Sequence, residues 1–345
     1  MPAVTPDRLK AAITEVLRGL GAAEDEACIV AESLVRAEMR GTDTHGLPYL
    51  KLLVERAEAR MVSLPTRLTT LRDEGATALL DGGNGIGQFA GWTAMATSVR
   101  KARELGVGLT LVRNTNNLGF LAFYTMHAAE QGLVGVAMSN ANASVSPWGG
   151  AEAYLGTNPM SISVPGTAEP LVLDMSSSVV ARGKIRKAHR LGEKIPPGWA
   201  LDEFGAPTED PAAALKGTLL PIGGPKGYGL ALMVDVLAGM LSGSAFGRQV
   251  KSFHELAGPT GVGALLLAFE VERFMPLETF RTLMAGYVTA IRGSRRARGT
   301  VRIYTPGEIE SEKEQASRER GIELADASVE MLNQYLEKLR SPLRL

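Results

Sequence analysis

Two kinds of periodicity divide the 345-residue chain, and their order limits the fold more than any single motif. Helical spacing runs through Leu9, Ile13, Val16 and Leu17, after a start signal in which Thr5 is the cap and Pro6 falls in the first turn. Further helices are predicted over 24–39 and 47–59. From Leu68 to Leu80 the pattern turns to β, and "GVGLTLVRN", "LVGVAMSNA", "MSISVPG" and "PLVLDMS" follow as short apolar runs between turns. After Gly299, "TVRIYTPGE" is predicted as a last strand and turn, then a charged helix from 310 to 320 and an amphipathic one over 325–339. Apolar helix faces must be covered by other elements. The two helical ends are therefore expected to share one lobe, 1–70 with 305–345, and the strands to build a second, 71–304. The class expected is α/β of the α+β kind, with a central mixed or antiparallel sheet. A chain of this length also exceeds what a single core usually supports, and ligand sites favour the cleft between lobes.

Composition removes several function classes. Lysine plus arginine balances aspartate plus glutamate at 37 each, so no positive field draws nucleic acid or an anionic membrane. No run of about 18 apolar residues suggests a membrane span, and the longest apolar stretch, 228–241, is interrupted by Asp235 and is expected to be a buried helix. The N-terminus has acidic residues early and no secretory pattern. Cys28 is the one cysteine, expected as a packed thiol, and the absence of any possible internal disulfide suits a cytoplasmic location. His127, His189 and His254 share no metal-ligand spacing, so no metal site is expected.

The stretch "DGGNGIGQFAGW", 81–92, fits the G-x-G-x-x-[GA] pattern through Gly85, Gly87 and Ala90, after a strand over 76–80 and before a helix to about Leu105. A Rossmann cradle also needs an acidic residue at the end of the next strand, to hold the ribose. Here that strand ends in Arg113, Asn114 and Thr115, with no carboxylate. Glycine equally serves a tight turn without any ligand, and the missing carboxylate favours that reading. A second glycine-rich loop, "PIGGPKGYG", allows close backbone approach and offers Lys226 as a point charge for a phosphate, or is purely structural.

Four stretches together are more specific: "RAEMRGTDTHGL" (36–47), "SNANASVSPWGGAEAYLGTNPMSISVPG" (139–166), "LDMSSSVVARGKI" (173–185), and the segment 195–243 that contains "LLPIGGPKGYGLALMVDVLAGMLSG". They resemble the type-2 malate/L-lactate dehydrogenase family, which includes ureidoglycolate dehydrogenases and piperideine carboxylate reductases, over residues 9–336. The resemblance implies NAD or NADP held in a fold that is not a Rossmann fold, a small-molecule substrate and a homodimer. It also implies that the segment around Gly85 is only a turn. By resemblance, cofactor contact falls on Asn140, Thr157, Asp174, Met175, Ser176, Lys226 and Gly227, and on the turn Pro306, Gly307 and Glu308.

The substrate side departs from the family. Its usual acid is a histidine in a stretch like "RNSNHFG", where this chain reads "RNTNNLGF" with Asn117 in the histidine's place. Its usual carboxylate clamp is an arginine four residues after the histidine of an "SHG" motif, and at that place this chain has Tyr49. Asn117 can orient a substrate but cannot deliver a proton, and a lost general acid costs about 10²–10⁴ in rate. Tyr49 cannot grip a carboxylate as arginine does. His45, with Thr44 beside it and Asp43 two residues earlier, is left as the proton-handling or substrate-orienting group. Lys184 and Tyr124 are fallback donors, and Trp148 packs a turn or walls the pocket. Two functions fit. One is an active reductase or dehydrogenase with an altered substrate, such as a cyclic imine that already carries its proton. The other is an impaired homologue that binds cofactor and acts as a binding or partner protein.

Overall fold

The structure is a computed structural model that describes residues 3–345. Met1, Pro2 and the side chain of Asp43 lie outside the described residues. The chain opens with a two-residue strand β1 (Ala3–Val4), then helices α1 (Pro6–Gly19), α2 (Glu24–Met39) and α3 (Leu47–Glu58). Thr5 caps α1 as expected, its hydroxyl accepting from Arg8 N at 3.4 Å. The strands β2 (Thr69–Glu74) and β3 (Thr77–Asp81) come next, followed by α4 (Gly87–Leu105), β4 (Val107–Thr115), α5 (Ala122–Glu130) and β5 (Leu133–Ser139). The hairpin β6 (Met160–Val164) and β7 (Leu171–Met175) leads to α6 (Arg182–Leu191). Short pieces β8 (Ala200–Leu201), β9 (Pro207–Thr208), α7 (Pro211–Lys216) and β10 (Thr218–Leu219) precede α8 (Pro225–Val234). The last third holds β11 (Val262–Glu270), α9 (Leu277–Gly293), α10 (Glu308–Arg320), β12 (Ile322–Glu323) and α11 (Asp326–Lys338).

Seven strands form one mixed sheet in the order β2-β3-β4-β11-β5-β6-β7, and only the β3–β4 pair is parallel. α4 crosses between those two strands, so the glycine turn at 81–87 does lie in a strand-helix-strand unit. α4 and α5 cover one face of the sheet through Ala94, Met95, Phe123, Val112, Ala264 and Leu266. The two chain ends share a second cluster, in which Leu9, Ile13, Leu34 and Leu50 pack with Ile322, Leu332 and Leu336. A third cluster, not anticipated from sequence, gathers Val145, Leu155, Ile185, Leu219 and Ala231 beside the small sheet β10-β8-β9.

Several expectations are corrected. Residues 300–304 are not a strand, and Val301 is 85% exposed. The stretch 228–241 is not a buried helix: α8 passes into a π-helical turn, Asp235–Met240, and Leu230, Met233, Met240 and Leu241 face outward. Asp235 is buried with Ala231, Val234 and Ala238, and accepts from Asn140 Nδ2 at 3.0 Å and Gly247 N at 2.8 Å. Cys28 is half-buried instead of packed in a core. Central strand β11 and helix α9 went unread. No described helix is long and apolar enough to cross a membrane.

Candidate functional site

In the glycine turn after β3 the N–H groups from Gly82 to Ile86 are all taken by the protein. Gly82 N and Asn84 N donate to Arg113 O and Asn114 O, each at 2.8 Å, and Gly85 N donates to Gly82 O at 2.8 Å. Gly83 N goes to Asp81 Oδ1 at 2.9 Å and Ile86 N to Thr66 Oγ1 at 2.8 Å. A Cβ on Gly87 would overlap the carbonyl oxygens of Asn116 and Asn117. These glycines let chain pack on chain. Arg113 is likewise committed, its Nε on Asp81 Oδ2 at 2.8 Å.

The start of α8 is the opposite case. Gly223 and Gly224 take φ of +59° and +64°, conformations that favour glycine. Among the described residues, the N–H groups of Gly223, Lys226 and Gly227 have no hydrogen-bond partner, and Lys226 is exposed with no ion pair. A helix start with open donors and a lysine is suited to a phosphate. Trp148 packs on this loop, 2.9 Å from where a Cβ on Gly224 would sit. The loop is tied to other predicted residues: Ile222 N donates to Ser177 O at 2.9 Å, and Ser177 N and Oγ both donate to Thr157 O at 2.8 Å. Ser176 Oγ lies 3.1 Å from Ser178 Oγ, and Met175 is half-buried beside it. This donor set fits a phosphate-bearing cofactor.

Asp174, next to last in β7, is partly exposed yet desolvated by the protein around it. That desolvation pushes its carboxyl up to about 6, although Ala122 N, at the start of α5, donates to it at 3.0 Å. Pro306 and Gly307 lie against the same strand, with Val172 N donating to Pro306 O at 3.3 Å. The Glu308 side chain is engaged elsewhere. Burial pushes its carboxyl up, but Thr305 N (2.9 Å), Thr305 Oγ1 (2.8 Å) and Arg292 together carry it down to about 2, and Arg302 also pairs with it. Asn140 is also engaged: Nδ2 donates to Asp235 and, at 2.8 Å, to Ala245 O, while Oδ1 accepts from Gly263 N at 2.9 Å.

On the substrate side, His45 closes a 3-10 turn and its Nδ1 lies 3.0 Å from Thr44 Oγ1. Burial, aided by the neighbouring His254, pushes the imidazole down to about 4, so it is neutral near pH 7. Helix α6 begins beside Thr44, and Lys184 is exposed in its first turn. Asn117 folds back on its own loop, Oδ1 accepting from Gly119 N at 2.8 Å. Tyr49 is buried and donates to Asn117 O at 2.8 Å while stacking on Phe253, centroids 4.8 Å apart. Burial raises its phenol far above the usual value. Tyr124 is fully buried, its hydroxyl on Leu118 O. The structure thus brings together Tyr49 with Asn117, Thr44 with His45 and α6, and Thr157 with the 176–178 and 222–227 segments. His254, which the sequence set aside for want of metal spacing, lies close enough to His45 to influence it electrostatically.

Comparison with known proteins gives first the class: dehydrogenases match the chain over nearly its whole length. The sequence profile described as malate/L-lactate dehydrogenase matches residues 4–333, and the chain belongs to that family. It is 39% identical over 313 residues to malate dehydrogenase of Pyrococcus abyssi (88% of this chain, 86% of the relative). It is 33% identical over 325 residues to ureidoglycolate dehydrogenase (NAD(+)) of Escherichia coli O157:H7, covering 94% and 93%. Among solved structures, sulfolactate dehydrogenase from Methanocaldococcus jannaschii superposes with a TM-score of 0.93 at 34% identity, covering 99% and 98% of the two chains. The delta1-piperideine-2-carboxylate reductase of Pseudomonas syringae gives 0.87 at 27% identity, covering 97% and 100%.

Proposed function

We propose that the protein moves a hydride between NAD or NADP and a small 2-hydroxy or 2-oxo acid, or a cyclic imino acid, with a substrate side that has diverged from the malate and lactate enzymes. The observation that carries this reading is the start of α8, where three partnerless N–H groups and Lys226 stand next to the serine segment. In this reading the cofactor lies outside the 81–87 turn, in a fold that is not a Rossmann fold. Lys226 and the amides of Gly223, Lys226 and Gly227 hold phosphate oxygens. Asp174, Met175 and Ser176, with Thr157 and the Pro306–Gly307 turn, border the sugar and the ring; Asn140 braces this region through its hydrogen bonds. When bound, the nicotinamide supplies or takes up the hydride.

The chain's own residues handle the proton. A neutral His45 can hold its hydrogen on either nitrogen. With Nδ1–H given to Thr44, Nε2 takes a hydroxyl proton; with Thr44 donating to Nδ1, Nε2–H orients a carbonyl oxygen. Asn117 only orients, which suffices for an iminium that is already protonated.

The two-lobe division, 1–70 with 305–345 and 71–304, belongs to the same reading, and so does a homodimer. The sheet face away from α4 and α5 carries Leu109, Leu111, Val134, Met138, Leu267 and Phe269 only half-buried, and α9 has no buried residue at all. Such surface suits a second copy.

The test is NAD(P)H consumption with 2-oxo acids, cyclic imines and uncharged ketones, alongside nucleotide titration. Turnover of one class is the expected result. Saturable binding with no turnover of any class would favour the impaired, cofactor-binding homologue.

A further inference from the structure

We propose that Arg186 and His254 form a carboxylate-binding pair that replaces the arginine clamp missing at Tyr49. This rests on the dehydrogenase reading above and deepens it by assigning the substrate's anionic group. Tyr49 has no free polar group to offer, because its hydroxyl is engaged by the Asn117 carbonyl and its ring is stacked. What Tyr49 does is hold another group near the site. Phe253 stacks on it at an interplanar angle of 10°, and the buried Arg56 covers Phe253 at 5.0 Å. Arg56 also donates to Glu255 O at 2.7 Å and Gly258 O at 2.8 Å. The loop that presents His254 is therefore moored to the helix that follows His45.

Helix α6 closes the same space from the other side. A Cβ on Gly183 would stand 3.4 Å from Thr44 Cγ2, so the face of α6 that includes position 183 looks toward the His45 turn. Residues three and four further along share that face, which puts Arg186 and Lys187 there. The helix also carries Arg182, Lys184 and Arg190 and no acidic residue. None of these five cations has an ion-pair partner among the described residues. The side chains of Arg186 and His254 are exposed, so both are free to turn to a ligand. The charge of Arg186 acts on His254 and that of His254 on His45, which puts the three in one electrostatic neighbourhood. Glu255 is the opposing charge there, acting on both Arg182 and His254. A guanidinium accepts a carboxylate in two parallel hydrogen bonds, and a histidine beside it supplies a third donor. The ligand class is a small carboxylate whose reacting carbon reaches His45.

The experiment compares wild type, Arg186→Gln, His254→Gln and the distant control Arg100→Gln on α4. The substrates are pyruvate, oxaloacetate, Δ1-piperideine-2-carboxylate and the neutral 2,3-butanedione. For the carboxylates, KM should rise about 10- to 100-fold in Arg186→Gln, as expected for loss of a charged hydrogen-bond pair. His254→Gln should raise it less, and Arg100→Gln should leave it unchanged. In Arg186→Gln the KM for butanedione should hold to within about 2-fold while that for the carboxylates rises, a split that general loosening of the fold would not give. Equal KM shifts for charged and neutral substrates, or no shift in either variant, overturn the assignment while leaving the dehydrogenase reading standing. If the wild type turns over none of these compounds, that reading fails separately. Oxalate binding by equilibrium dialysis then judges the pair alone: weakening in Arg186→Gln supports it, and equal binding in wild type and variant overturns it.

Discussion

Two glycine-rich turns sit before two helices of this chain, and they differ in what their amides do. Before α4, every N–H from Gly82 to Ile86 is taken by the protein, and the glycines admit neighbouring carbonyls and side chains. Before α8, among the described residues, the N–H groups of Gly223, Lys226 and Gly227 lack a partner, Gly223 and Lys226 are exposed with no ion pair at the lysine, and a Cβ on Gly223 would meet nothing within 4 Å. The first has the better dinucleotide pattern, and even the strand-helix-strand setting such a pattern asks for. The second has the better chemistry. Glycine spacing reports only that backbone comes close to something; the two helix starts differ in exposure, Gly87 and Gln88 being buried and Gly223 and Lys226 facing solvent.

The largest expected effect breaks the first turn. Gly87→Ala forces a methyl into two carbonyl oxygens and should destabilise the protein by about 3 kcal/mol or more, seen as a fall in the denaturation midpoint. Nucleotide affinity of the folded fraction should stay unchanged. Lys226→Met does the reverse. It should weaken nucleotide binding about 10- to 100-fold, the value of a hydrogen bond to a charged group, with the cofactor-free Tm unmoved because Lys226 is exposed. If Lys226→Met leaves binding intact, the contrast between the turns loses its functional meaning.

Asp174 offers a smaller test through pH. Its folded value of about 6 lies above the ordinary 3.8, so the folded state holds this proton more tightly than the unfolded chain. Its contribution to stability is then complete below about pH 4 and lost as pH rises through 6. Denaturation of cofactor-free protein across this window should show a downward slope that Asp174→Asn flattens; an identical slope in both would refute the shifted carboxyl. Smallest of all, Gly223→Ala meets no neighbour and should cost only the left-handed backbone term, about 1 kcal/mol, with a modest loss of nucleotide affinity.

Much of the architecture was legible because periodicity reports burial. α2 was predicted with its observed bounds, and the four strand runs quoted from the middle all joined the sheet. Strand β11 was missed although it is central, because its first half, 262–266, is buried on both faces and so reads as an apolar run without alternation; "VGALLLAFE", bounded by Gly261, was the available signal. Residues 228–241 misled for the opposite reason, since their apolar side chains do not all face inward. At the site, sequence could name Tyr49 and Asn117 as departures but could not see that they are one contact, because hydrogen-bond partners distant in sequence leave no local pattern. The same holds for His254, which reaches His45 only through the fold.

The stack of Arg56, Phe253 and Tyr49 has a mechanical consequence. It bolts the 253–258 segment to α3, and the Tyr49 hydroxyl fastens the Asn117 segment to the same helix, so these two walls travel as a unit. The remaining wall, α6, is anchored elsewhere, its buried Ile185 and Ala188 packing in the third cluster, and a Cβ on Gly183 would stand 3.4 Å from Thr44. The wall that carries the cations and the walls that carry His45 and His254 thus belong to separately packed cores.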